Sequence, residues 1–118
     1  MLENVYEYGP EEIYDVVDGL KSQSVGFCLD CGHLAAFGKT PLNLWLKSLG
    51  PHIKHLHLHD NHGFSDEHLA MGLGTIDFNL LFNYLKKIGN QPSVITLEPH
   101  HEEDLWPSLE YLAKVWPW

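Results

Sequence analysis

The sequence predicts an α/β fold of about four parallel βα units. Three observations carry that expectation. Short β-type runs alternate with runs of helical period. Each β-type run has an ionisable residue at its carboxyl end. The composition, 44% hydrophobic and 19% charged over 118 residues, is that of a globular chain and not a disordered one. With no low-complexity segment and no linker, a single domain spanning 1–118 is expected.

Met1 to Asn4 is a short first strand. Glu11 to Leu20 follows Gly9-Pro10 and sets Ile13, Val16, Val17 and Leu20 at i, i+3, i+4 and i+7, the stripe of an amphipathic helix. Val25 to Asp30 is an apolar run closed by a carboxylate. Thr40 reads as an N-cap with Pro41 at the first helical position, and Leu42, Trp45, Leu46 and Leu49 repeat the stripe until Gly50-Pro51. Ile53 to His59 alternates like a strand, with Leu56 and Leu58 on one face and His55, His57 and His59 on the other. A polar loop carrying Gly63, Gly72 and Gly74 follows. Asp77 caps a helix with Phe78, Leu81, Phe82, Leu85 and Ile88, which Gly89-Asn90 ends. Ser93 to Glu98 is the last strand. Glu102 to Trp116 is the last helix, with Leu105, Leu109, Leu112 and Trp116 facing inward.

Glu3, Asp30, His57 and Glu98 thus occupy equivalent positions at the carboxyl ends of four strands. In a parallel α/β barrel that end is the rim where residues of different strands converge. A whole (β/α)8 barrel needs about 250 residues, so the expected fold is half of one. Four strands in an open sheet leave two unpaired edges. The chain is therefore expected to be a fragment of a longer protein or a homo-oligomer that completes its barrel with another chain.

Composition narrows the partners. The formal charge is −9, and all seven basic residues are Lys, with no Arg. That disfavours nucleic acid, whose phosphates call for a basic face. No apolar run approaches the roughly 20 residues of a membrane span. Two Cys make no disulfide framework, and the acidic start lacks the pattern of a signal peptide, so a cytoplasmic setting is expected. Nine His are several times the usual share, and His is the commonest metal ligand.

Five segments occur in order: Leu2-Glu3-Asn4, Leu29 to His33 (Leu-Asp-Cys-Gly-His), His57-Leu58-His59-Asp60, Asp66 to Gly74 (Asp-Glu-His-Leu-Ala-Met-Gly-Leu-Gly) and Leu97-Glu98-Pro99. Together they resemble the second half of the xylose isomerase-like TIM barrels, the AP-endonuclease family 2 superfamily. The resemblance spans nearly all of this chain and about half of a family member. It implies a metal site at Glu3, Asp30, His57 and Glu98, a donor set suited to Mn2+, Mg2+, Co2+ or Zn2+. It also implies isomerisation or epimerisation of a sugar or sugar phosphate through an enediolate, with Glu3 and Glu98 moving the proton.

His33 resembles a residue that binds substrate in the epimerases or a second metal in the zinc-dependent endonuclease IV. With Asp66 and His68 it resembles that endonuclease's third zinc site, so an AP-endonuclease-like phosphodiesterase is the alternative activity. A truncated, non-catalytic half-barrel is the third reading. Two further zinc-binding His of the endonuclease belong to the half this chain lacks. Asp60 is read as an outer partner of the ligands or as a cap of its turn. His55 and His59 are read as satisfied barrel histidines or outer partners of the ligands. Cys28 and Cys31 form a lone C-x-x-C with no second pair, which points to packing and away from redox or zinc-ribbon chemistry.

Overall fold

The four β-type runs form one parallel sheet in the order β1-β2-β3-β4, with β1 at Leu2–Glu3, β2 at Phe27–Asp30, β3 at Ile53–Leu58 and β4 at Val94–Leu97. This computed structural model describes residues 1–20 and 23–118. Helices α1 (Glu11–Gly19), α2 (Cys31–Phe37), α3 (Leu42–Leu49) and α4 (Phe78–Lys87) connect the strands, and α5 (Leu105–Val115) follows β4. The arrangement matches part of a (β/α)8 barrel, and within the sheet β1 and β4 are edge strands.

Two features differ from the sequence expectation. Helix α2 follows β2 without a connecting loop, in a stretch where the sequence reading has no helix. Asp30 is both the last strand residue and the N-cap of α2, its Oδ1 accepting from the His33 backbone N–H at 2.7 Å. Helix α3 starts one residue later than expected. Pro41, at φ −61° and ψ 151°, is itself the cap residue, and Thr40 supplies no side-chain cap. The fixed φ of proline suits either position, which is why sequence alone leaves that boundary loose.

The remaining boundaries shift by one to three residues. The last helix is preceded by a 3-10 turn at Glu102–Asp104. Pro107 is tolerated in α5 because it falls in the first turn, where a backbone N–H has no intrahelical partner. Asp77 caps α4 by accepting from Leu80 N–H at 2.9 Å, and Gly89, at φ 72°, takes the left-handed conformation that ends it.

The core lies between the sheet and the helices. Phe27 and Leu29 of β2 and Ile53, Leu56 and Leu58 of β3 pack with Ile13 and Val17 of α1, Trp45, Leu46 and Leu49 of α3, and Phe78, Leu81, Phe82 and Leu85 of α4. Because β3 alternates, burying Leu56 and Leu58 turns His55 and His57 to the opposite face, the inner face of a barrel. The packing of the helices thereby aims the histidines.

Candidate metal centre

The parallel register aligns the strand ends. Glu3 closes β1, Asp30 closes β2 and pairs with His57, and Glu98 follows β4 directly. The β1–β2 ladder is prolonged by a side chain. Buried Asn4 donates from Nδ2 to the Asp30 carbonyl and accepts from the Asp30 N–H, both at 2.9 Å. That amide imitates one more strand rung and fixes Glu3 relative to Asp30.

His57 is the centre of the first group. Its Nδ1 lies 3.0 Å from Glu3 Oε1, 3.2 Å from Glu98 Oε1 and 3.6 Å from Asp30 Oδ2. Three carboxylates from three strands around one imidazole nitrogen repel one another unless a cation sits among them. Asp30 Oδ2 is buried without a hydrogen-bond partner. Three carboxylate oxygens and one imidazole nitrogen are a donor set that fits a divalent ion.

Asp66 is the centre of the second group. His33 Nε2 and His68 Nε2 approach its Oδ2 at 3.3 and 3.1 Å, and His59 Nδ1 faces its Oδ1 at 3.6 Å. The opposite nitrogen of each ring is engaged. His33 Nδ1 donates to the Asn4 carbonyl (3.0 Å), His68 Nδ1 to the Glu98 carbonyl (2.7 Å) and His59 Nε2 to Asp30 Oδ1 (3.0 Å). In the neutral rings three lone pairs therefore point at one carboxylate. That is the tautomer pattern of metal-ligating histidines, whose other N–H is held by a carbonyl or carboxylate. His68 reaches this place with φ 53°, uncommon for a residue with a Cβ and held by its Nδ1 bond and by the His100 N–H on its carbonyl.

Every candidate ligand is thus close to another. Asp60 is different: it is buried and accepts from the backbone N–H groups of Asn61, Gly72 and Ile76, which folds the loop carrying Asp66 and His68. His55 is satisfied by Thr96 Oγ1 at 2.8 Å. Cys28 and Cys31 are free and buried. Burial, then the charges of Glu3, Asp30 and Glu98, pushes the Cys28 thiol up to about 12, and Cys31 is also raised, chiefly by burial. Both stay protonated thiols.

Burial works to raise the Asp30 carboxyl, but the bonds from His59 and from the His33 N–H, together with their charges, outweigh it. The net value lies below the usual range. His33 is raised in the same setting. Burial opposes its charge, yet the Asn4 carbonyl and the charges of Asp30, Asp66 and Glu3 prevail.

A depressed carboxyl contributes stability that is present above its unfolded value, about 3.9, and lost as pH falls through the lower folded value. In chelator-treated protein, the urea midpoint between about pH 5 and about pH 2 should fall more steeply for the wild type than for Asp30→Asn. Parallel slopes would remove Asp30 from the acid transition.

The model of the xylose isomerase-like TIM barrel matches residues 1–115. The chain belongs to this family. Among curated proteins, two uncharacterized proteins of Methanocaldococcus jannaschii are 36% identical over 106 residues and 38% over 87. The matches cover 89% and 74% of this chain but only 36% and 33% of those proteins, so the chain spans about a third of these relatives.

Three solved structures are similar to 97% of the chain. A D-tagatose 3-epimerase-like protein is 34% identical with a TM-score of 0.79, and 45% of it is covered. A Thermus thermophilus protein soaked with ZnCl2 is 33% identical with a TM-score of 0.77, and 43% of it is covered. The IOLI protein with a bound zinc atom is 26% identical with a TM-score of 0.69, and 44% of it is covered. Possible ligand groups here agree in kind with the bound zinc atom of the IOLI protein.

Sequence reasoning missed Gly32 and left His59 open between a satisfied barrel histidine and an outer partner of the ligands. Strand alternation puts His59 beside His57, yet β3 ends at Leu58 and His59 turns towards Asp30 and Asp66. Its donor atoms lie within 4.8 Å of those of Asp66 and His68, and also of those of Asp30 and Glu98. No helix among the described residues is long and apolar enough to cross a membrane.

Proposed function

We propose that the chain is one domain, the carboxyl-terminal half of a metal-dependent sugar or sugar-phosphate isomerase or epimerase. The observation that carries this reading is His57 Nδ1 encircled by carboxylates from three other strand ends. Glu3, Asp30, His57 and Glu98 hold the ion, of Mn2+, Zn2+, Co2+ or Mg2+ type. When bound, it polarises the substrate's carbonyl and adjacent hydroxyl as a Lewis acid.

The chain's own groups do the rest. Glu3 and Glu98 stand on either side of His57, each partly exposed to the inner face, and are the pair that removes a carbon-bound proton and returns one. The D-tagatose 3-epimerase-like neighbour supports a sugar as the substrate class. The open edges of β1 and β4 call for another half, either a second copy or a separate amino-terminal chain. A charge of −9 without Arg argues against nucleic acid, and two free cysteines suit a reducing, cytoplasmic setting.

One observation favours the second reading, a zinc phosphodiesterase of the AP-endonuclease type. The lone pairs of His33 and His68 converge with Asp66 on a place suited to a second cation, where the isomerase reading uses these residues for substrate. Metal content per chain of untagged protein, with a sizing run on the same sample, separates the readings. One Mn, Co or Zn per chain in an assembled barrel is the expected result. Two or three Zn per chain would favour the phosphodiesterase. No metal would overturn both and leave a non-catalytic half-barrel.

A further inference from the structure

We propose that His59 is a positioning residue: it holds Asp30 in the orientation that binds the ion and links that carboxylate to the Asp66–His68 pair. The proposal rests on the reading of Asp30 as an ion ligand. His59 is 1% exposed and is the first residue beyond β3. Its Nε2 lies 3.0 Å from Asp30 Oδ1, and an ionised carboxylate only accepts, so Nε2 carries the proton. That bond occupies Oδ1, which also takes the His33 N–H, and leaves Oδ2 towards His57 Nδ1. One oxygen is tied to the protein and the other is kept for the ion.

The ring has little freedom to leave. A face of His59 stacks on His68, with centroids 3.7 Å apart and planes 4° from parallel, and His68 stacks in turn on His100 at 4.2 Å. The other boundary is Gly32, where a Cβ would fall on the His59 ring itself. Asn61 Nδ2 donates to the Gly32 carbonyl at 2.9 Å, fixing the first turn of α2 against the residues that follow His59. Glycine at position 32 is thus the space in which the imidazole lies, and His59 joins the two ligand groups as one packed unit.

The test is a chelator-competition titration of Zn2+ or Co2+ on the full chain, with a urea titration of each ion-free variant. His59→Gln keeps an N–H near the Nε2 position, whereas His59→Leu keeps bulk without a donor. Gly32→Ala displaces the ring while leaving His59 in the sequence. His59→Leu and Gly32→Ala should weaken ion binding about 10–100-fold, and His59→Gln should stay within about threefold of wild type.

Equal losses in the Gln and Leu variants, tracking their urea midpoints, would reduce His59 to a structural role and overturn the proposal. Wild-type affinity in His59→Leu would do the same while leaving the ion site standing. A wild-type chain that binds no ion would instead bring down the underlying reading and the proposal with it. Should the variants fail to fold, long-range 1H–15N spectra of the wild-type imidazoles decide. An Nε2–H tautomer at His59 supports the proposal, and an Nδ1–H tautomer overturns it.

Discussion

Glu98→Gln is expected to lower exchange of the substrate's carbon-bound proton by about 10²–10⁴-fold and to weaken ion binding by more than about tenfold. The substitution preserves size and both backbone contacts of this position, the Leu58 carbonyl that accepts the Glu98 N–H and the His68 ring on its own carbonyl. What it removes is a carboxylate 3.2 Å from His57 Nδ1 and a group able to take a proton. The fold should therefore persist while chemistry and ion affinity fall together. Deuterium uptake into a ketose pool by the assembled protein, followed by NMR, measures the first; chelator competition measures the second. Retained exchange would sink the proton-transfer role of Glu98, whatever happens to the ion.

Phe82→Ala is expected to cost about 3–5 kcal/mol, a large part of the roughly 5–15 kcal/mol that holds a domain together. Phe82 is fully buried in α4, with the rings of Trp116 and Trp118 edge-on at 5.6 and 6.4 Å. Truncation opens a void under the carboxyl-terminal tryptophans, so the loss should appear both in the urea midpoint and in tryptophan emission. Phe64, 91% exposed, is the control: Phe64→Ser should stay within about 0.5 kcal/mol of wild type. A loss at Phe82 below about 1 kcal/mol would mean that the α4–α5 contact is loose.

Much of the fold was legible because two periods are visible in the chain. The i, i+3, i+4 stripes of Ile13–Leu20, Leu42–Leu49 and Phe78–Leu85 mark helices, and the alternation of Ile53–Leu58 marks a strand whose polar face is histidine. The residues of the candidate site stood out for a related reason: ionisable groups at the ends of apolar strands have no packing role. Helix α2 escaped notice because seven residues, one of them glycine, are too few to display a stripe. The particular partners of His59 stayed open because period two holds only while a strand continues. The backbone bridge between Asp60 and Leu69 redirects the chain one residue after it, and such a bridge leaves no trace in local sequence.

The parallel ladder has one more consequence, for how errors in assembly are detected. Asp30 stands opposite His57, and His57 opposite Thr96, one residue pair per rung. A strand that slips by a single residue turns all its side chains to the other face. A slipped β2 would bury the carboxylate of Asp30 against the helices and offer Leu29 in its place. The four proposed ligands come from the ends of four separate strands, so they meet only when every register is right. On the proposed ligand set, ion affinity would gauge registry across the whole sheet, and a bound ion would penalise misaligned chains that hydrophobic packing alone tolerates.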